Sequence, residues 1–167
     1  AANQMIQDAD IQVVGAGSSG ETGVCVFNHQ GRVLVSLASD HTDRVLEAHS
    51  VALSKQICAK PVAREAWLFS DVAEYWDELI IRAYIQEDGK EVLYQDGPLS
   101  TLKNPLELIE GYFQSTTMPE GFGMTCGTVG AIGGIRPATQ FTMELYDPRR
   151  ERSIRHTYVT EILPEVA

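Results

Sequence analysis

Long apolar runs are missing from this chain: no stretch approaches the roughly 18 consecutive apolar residues of a membrane-spanning helix, and no basic-then-apolar leader opens it. No membrane partner is therefore expected. Basic residues are scarce, 13 Lys and Arg against 23 Asp and Glu, and the net charge of -10 with no Lys/Arg run disfavours a phosphate backbone, so nucleic acid is not expected either. A bound cation would meet no such penalty. Cysteines number only three, Cys25, Cys58 and Cys126, with no Cys-x-x-Cys pair. That fits reduced, buried thiols in a cytoplasmic compartment better than a disulfide framework, although Cys126 lies beside candidate pocket residues. Aromatics are few, 8%, and without basic neighbours, so Trp67, Tyr75 and Trp76 read as core or interface rather than as a base-stacking platform. An initiator Met is absent too. The chain opens on Ala1-Ala2-Asn3-Gln4, from which we expect a single domain over 1–167 that lacks an upstream segment.

What is present, 167 residues at 44% hydrophobic content, suffices for one domain with a real core. Short strands dominate. Ile11 to Val14 reads as a strand, Gly15 to Gly20 as a flexible turn, and Glu21 to Phe27 pairs with Arg32 to Ala38 across Asn28-His29-Gln30-Gly31. Ala66 to Phe69 is a further strand, followed by a helical turn capped by Ser70. Glu78 to Gln86 and Glu91 to Gln95 form a second hairpin around Asp88-Gly89. Asn104-Pro105 opens a helix over Leu106 to Gln114, since Pro is accepted in the first turn. Thr139 to Tyr146 and Ser153 to Leu163 make a third hairpin, with Pro148 where a strand must stop. Because strands and helices do not alternate, the fold class is α+β, mainly β, and a doubly wound dinucleotide fold is disfavoured.

The densest chemistry lies at Asp40-His41-Thr42-Asp43-Arg44, followed by Glu47, His49 and Lys55. A strand is expected to hand over here to one helix, Asp43 to Ile57, with Val45, Leu46, Leu53 and Ile57 on its apolar side. Spacings of three or four share a helix face, so Arg44 can meet Glu47. Two readings account for the run: a site, or an ordinary helix start with Thr42 as N-cap and Asp43 in the first turn. The glycines of Gly127-Thr128-Val129-Gly130 and Gly133-Gly134 precede no helix that could hold a pyrophosphate. They suit a loop that brings backbone N–H groups and Thr128 to a carboxylate or carbonyl, or a plain turn.

Several of these segments together resemble the fumarylacetoacetate hydrolase superfamily. Ser39-Asp40-His41-Thr42-Asp43-Arg44-Val45-Leu46-Glu47 is similar to its Asn-Asp-x-Ser-x-Arg-Asp-x-Gln motif, and Ser54-Lys55-Gln56 falls where that family has Gly-Lys-Ser. Arg82 to Gly97 resembles its hairpin ending in Gln-x-Gly, Pro105 to Phe113 its following helix, and Thr125-Cys126-Gly127-Thr128 its Thr-Gly-Thr-Pro loop. The run Ser-Asp-His-Thr-Asp-Arg is similar to that of an uncharacterised bacterial branch known only as a domain of unknown function. The resemblance covers nearly the whole chain and implies a mixed β-roll with a few short helices.

It also implies chemistry. The superfamily holds a divalent cation with two glutamates spaced Glu-x-Glu and the motif aspartate; here Glu21 and Asp40 match, while Ser19 replaces the first glutamate. The implied cofactor is Mg2+ or Mn2+, with Asp43 or His41 as helpers, and His41 with His49 would instead suit zinc or iron. Such a cation stabilises an enolate, so the implied activity is a hydrolase or lyase acting on a small oxo acid or 1,3-dicarbonyl compound. Catalytic roles fall to Arg44, Lys55 and His41, and substrate binding to Thr128, Gly127 and Glu47. The His-Glu pair by which the hydrolases activate water often comes from a lid upstream of the metal strand, and no such lid is expected here. The alternatives are an isomerase or hydratase on the same fold, and a noncatalytic binding or structural domain with a degenerate metal site. A homodimer is the implied assembly.

Overall fold

Strand burial builds the architecture of the computed structural model, which describes residues 2–166: it alternates along Asp10–Val14 and Ile80–Glu87 and is continuous over 22–26, 35–39 and 141–145. In chain order the strands are β1 (Met5–Ile6), β2 (Asp10–Val14), β3 (Ser18–Ser19), β4 (Thr22–His29), β5 (Arg32–Ser39), β6 (Thr42–Asp43), β7 (Lys60–Pro61), β8 (Trp67–Leu68), β9 (Ile80–Glu87), β10 (Lys90–Pro98), β11 (Gly123–Thr128), β12 (Gln140–Asp147) and β13 (Arg152–Leu163). The α-helices are α1 (Arg44–Glu47), α2 (Val51–Gln56) and α3 (Pro105–Phe113). One sheet runs β10-β9-β12-β13-β2 and a second β11-β4-β5-β8, with two-stranded pairs β1-β7 and β3-β6. Between the main sheets lies one core, in which Val24, Val26, Val35 and Leu37 meet Ile81, Ile85, Met143, Leu145 and Tyr158. Tyr75 and Trp76 belong to it.

The three hairpins form as their turn residues dictate. Gln30-Gly31 and Asp88-Gly89 both carry positive φ at the two central positions, the geometry whose twist matches paired strands. Pairing in the first hairpin extends further than expected, through Asn28 and His29. Helix α3 starts at Pro105, with the Leu106 N–H donating to the Asn104 side chain, and ends where Gln114 turns left-handed. All three cysteines are free and buried, as expected.

Ser70 caps no helical turn, since the turns at 69–71 and 73–78 have no side-chain cap, and within the expected turn at 15–20 Ser18–Ser19 is strand β3. Two further expectations need correction. The helix anticipated over Asp43 to Ile57 is broken into α1 and α2 because Ser50 takes extended backbone and caps the N–H of Leu53, restarting the helix. The cap of α1 is Asp43, which accepts from Val45 and Leu46 N–H, not Thr42, whose buried hydroxyl donates to Asp40 O. The break turns the anticipated apolar side outward: Val45 is 68%, Leu53 56% and Ile57 58% exposed. Second, Gly123–Thr128 is a strand, not only a loop, since it pairs with β4 and bulges between Thr125 and Thr128.

Candidate functional site

Two short segments are tied together to make the site. The β3-β6 pairing sets Ser18 opposite Asp43 and Ser19 opposite Thr42. Arg44 N–H donates to Gly17 O at 2.8 Å and Asp40 N–H to Glu21 O at 2.9 Å. Gly20 lets the backbone pass directly over the core, because a Cβ there would lie 2.5 Å from the Phe141 ring and 2.6 Å from the Tyr158 hydroxyl. Residues 19, 21, 40 and 44 therefore share one small volume.

Their charges alternate in a continuous chain. Arg44 spans from Glu47 (2.9 Å) to Glu21 (3.0 Å), and its Nε donates to Ser19 Oγ at 2.7 Å. Lys55 Nζ stands 3.9 Å from Glu21 Oε1 and 2.6 Å from Asp40 Oδ2, and Lys60 Nζ stands 3.3 Å from Asp40 Oδ1. Burial works against the Arg44 charge, but hydrogen bonds to Glu47 and Glu21 outweigh it and raise its pKa. Glu21 and Asp40 thus converge, and Arg44 and Lys55 bind them. Lys60 was not anticipated: it is the least exposed cation of the cluster, 13%, donates to His41 O at 2.6 Å, and is held below the usual lysine range by burial, with Asp40 opposing. No local pattern marks it, because β7 is placed by pairing with β1, some 55 residues away in sequence.

His41 lies behind this chain in the core, 1% exposed, with Nδ1 on the Tyr158 hydroxyl and Nε2 on Ser18 Oγ, both at 2.9 Å. Burial first, then Lys60 and Arg44, push its pKa down to about 3, so the ring is neutral at neutral pH and its nitrogens are engaged. Its position is that of a strut beneath the site. Asp43 is occupied as a helix cap, and His49 is exposed, beside Val45 and Glu165 rather than His41. The zinc or iron option therefore has no imidazole pair to rest on.

A cavity of about 260 Å³ opens at Glu21 and Arg44 and is completed by Tyr94, Gln95, Thr128 and Ile135. Gln95 organises that wall. It is 2% exposed, its Oε1 accepts Thr22 N–H, and its Nε2 donates to Thr128 Oγ1 and Val129 O. The Thr128 hydroxyl in turn donates to Thr22 O at 2.5 Å. Thr128 lines the cavity with its hydroxyl already engaged. Gly127 sits outside the cavity in the bulge, at φ +92°. Glu47 reaches the cavity only through Arg44, and Asp40 and Lys60 line not this cavity but a different one, about 470 Å³, walled by Met5, Phe122 and Met124. Gln95 was legible only as a hairpin end.

The cation implied by the resemblance can be tested against these groups. Among the described residues no cluster of three or more His, Cys, Asp and Glu side chains forms a complete cage. Yet Glu21 and Asp40 each turn one oxygen toward a common point, where the Lys55 ammonium stands as a cation. Magnesium commonly takes one or two carboxylates and fills its shell with water and substrate oxygens, so this pair fits its donor chemistry. Ser19 offers a neutral oxygen where the resemblance has a glutamate.

Comparison with known proteins places the chain. Residues 1–158 match the family described as protein of unknown function DUF2848. The chain belongs to that family. The match is to the family as a whole and does not single out the Ser-Asp-His-Thr-Asp-Arg run. No curated protein matches. Among solved structures, a hexagonal crystal form of 2-keto-3-deoxyarabinonate dehydratase superposes with a TM-score of 0.71 at 15% identity, over 98% of this chain and 58% of that one. The same enzyme complexed with magnesium and 2,5-dioxopentanoate gives 0.71 at 14% identity, over 98% and 60%. Cg1458 gives 0.66 at 18% identity, over 96% and 66%. These likenesses establish the mainly β, fumarylacetoacetate hydrolase-type fold, and the chain spans 58 to 66% of the length of those structures. Among the described residues no helix is long and apolar enough to cross a membrane.

Proposed function

We propose that this family member is a divalent-cation-dependent lyase of the hydratase or dehydratase type, acting on a small 2-oxo acid. The observation that carries the proposal is the placement of Arg44 and Glu21 on one cavity, with Asp40 linked to Glu21 through Lys55 and lining the neighbouring cavity. The dehydratase likeness, including a complex with magnesium and 2,5-dioxopentanoate, supports the choice of substrate class. Glu21 and Asp40 would hold Mg2+ or Mn2+, which when bound supplies Lewis-acid polarisation of the 2-oxo oxygen.

The chain's own residues recognise and orient. Arg44 uses three of its five N–H groups on Ser19, Glu47 and Glu21, which leaves one on each terminal nitrogen for a substrate carboxylate to accept. Glu47 sets the plane of the guanidinium. Gln95 and Thr128 fix the opposite wall, so specificity there comes from backbone groups around Val129 and Gly130 rather than from the Thr128 hydroxyl. A volume of about 260 Å³ lies under the ~300–1,000 Å³ of pockets for drug-sized ligands and selects a small acid.

The test is incubation with Mg2+ and a panel of 2-oxo and 1,3-dicarbonyl acids, 2-keto-3-deoxy sugar acids included, with products read by NMR. Turnover of a 2-oxo acid that falls about 100-fold in Arg44→Lys, which keeps the charge and loses the guanidinium, is the expected result. The alternative of a noncatalytic binding domain draws on the complete internal pairing of the site charges. Ligand-induced thermal stabilisation without turnover across the panel would favour that alternative, and absence of turnover of any 2-oxo acid refutes the lyase.

A further inference from the structure

We propose that Lys55 is an internal counter-cation that occupies the divalent-cation position and must leave before a metal binds, so that metal loading and the Lys55 contact are mutually exclusive. The inference rests on the reading of Glu21 and Asp40 as cation ligands. It follows from which oxygens are engaged by which partner.

Each carboxylate has one oxygen committed elsewhere. Glu21 Oε2 is held by Arg44 Nη2 at 3.0 Å, and Asp40 Oδ1 faces Lys60 Nζ at 3.3 Å. The remaining two, Glu21 Oε1 and Asp40 Oδ2, both face Lys55 Nζ, at 3.9 and 2.6 Å. A metal using this pair would therefore need the space that the ammonium fills. Two positive charges so close would repel strongly in a partly buried setting, so the exchange is a substitution and not an addition.

The three cations differ in how firmly they are anchored. Arg44 is held by Ser19, Glu47 and Glu21 together, and Lys60 is bonded to His41 O. Lys55 adds to its carboxylates only a long 3.4 Å contact to Thr42 Oγ1. It extends from α2, a surface helix whose Val51, Leu53 and Ile57 face outward, on a flexible four-carbon stem. Of the three, Lys55 is the one that can swing away without unmaking the site. Ser19 fits the same scheme: with a neutral hydroxyl in place of a third carboxylate, the charge facing the vacated position is matched by a single ammonium and a divalent ion has less to gain.

The consequence is quantitative. A ligand that needs a conformer populated a tenth of the time binds about tenfold more weakly than it would to that conformer alone. With Mn2+ as the probe, titrated by electron paramagnetic resonance into the full chain, Lys55→Met is expected to bind at least about tenfold more tightly than the wild type. Glu21→Gln is expected to weaken binding in both backgrounds. Equal or weaker Mn2+ binding in Lys55→Met overturns the exchange. A measurement that needs no variant complements it: acetic anhydride labelling of wild-type Lys55, read by peptide mass spectrometry against the exposed Lys90 and Lys103, should rise several-fold at saturating Mn2+. Unchanged labelling with Mn2+ bound overturns the proposal as well. If Mn2+ binds none of these proteins, Lys55→Met included, the reading of Glu21 and Asp40 as ligands fails and takes the exchange with it. Tight wild-type binding indifferent to Lys55 removes the exchange alone. Neither measurement depends on turnover.

Discussion

Acid should unfold this protein through His41 before it reaches the carboxylates. The folded imidazole is pushed down to about 3 by burial, then by Lys60 and Arg44, whereas the same group in an unfolded chain titrates near 6.5. Between those values the unfolded state binds one more proton, so stability rises with pH and is lost on acidification. For one such group the loss amounts to about 2 kcal/mol between pH 8 and pH 5, and about 3 kcal/mol by pH 4. His156, whose pKa is also lowered by burial, adds a loss of the same sign, so a comparison isolates His41. His41→Gln removes the titration while keeping an amide that can serve Ser18 or Tyr158, at a cost of about 1–3 kcal/mol at pH 8. Urea unfolding of both proteins at pH 8, 7, 6 and 5 is the assay. The stability gap should narrow by about 2 kcal/mol on going from pH 8 to pH 5. A constant gap would show that His41 does not stay neutral in the fold, and would remove its assignment as a strut.

Other consequences follow from close contacts and burial. A Cβ at Gly23 would lie 2.4 Å from Gly127 O, a backbone atom that cannot rotate away, so Gly23→Ala should destabilise by about 1–3 kcal/mol in urea unfolding; a change under about 0.5 kcal/mol would contradict the packing of β4 on β11. Gln95→Leu leaves Thr22 N–H without a buried partner and Val129 O with only a 3.3 Å contact to the Thr128 hydroxyl, which should cost about 1–3 kcal/mol by thermal unfolding, and a variant as stable as the wild type would show that Gln95 does not tie these strands together. Burial raises the Cys25 thiol to about 11 and Cys126 to about 12, so at pH 8 both should react with a thiol reagent at least about 100-fold more slowly in the native protein than in denaturant; rapid native labelling would place them at the surface.

Much of the strand pattern was legible because it is local. Gln30-Gly31 and Asp88-Gly89 encode their turns, Asn104-Pro105 encodes a helix start, and period-two alternation encodes the inward face of β9. The meeting of Glu21, Asp40, Arg44 and Lys55 was read from a family resemblance and not from spacing. The break at Ser50 went unread, since a serine between two helical patterns marks either a solvated position or a new cap, and the choice depends on what α2 packs against. The resemblance gave His41 a catalytic role and a helper's part at the cation; only the opposite sheet, through Tyr158, shows it to be buried.

By itself, then, the amino-acid order determined the hairpins, the exclusion of a doubly wound fold and the residue types available to a site, because these depend on neighbours a few positions apart. Tertiary structure alone decided that β13 closes the sheet by pairing in parallel with β2, that Lys60 joins Asp40 by way of β7, and that Gln95 holds Thr128. Those pairings join residues far apart in the chain, and their energy comes from desolvation and hydrogen bonding that exist only once both partners are buried together.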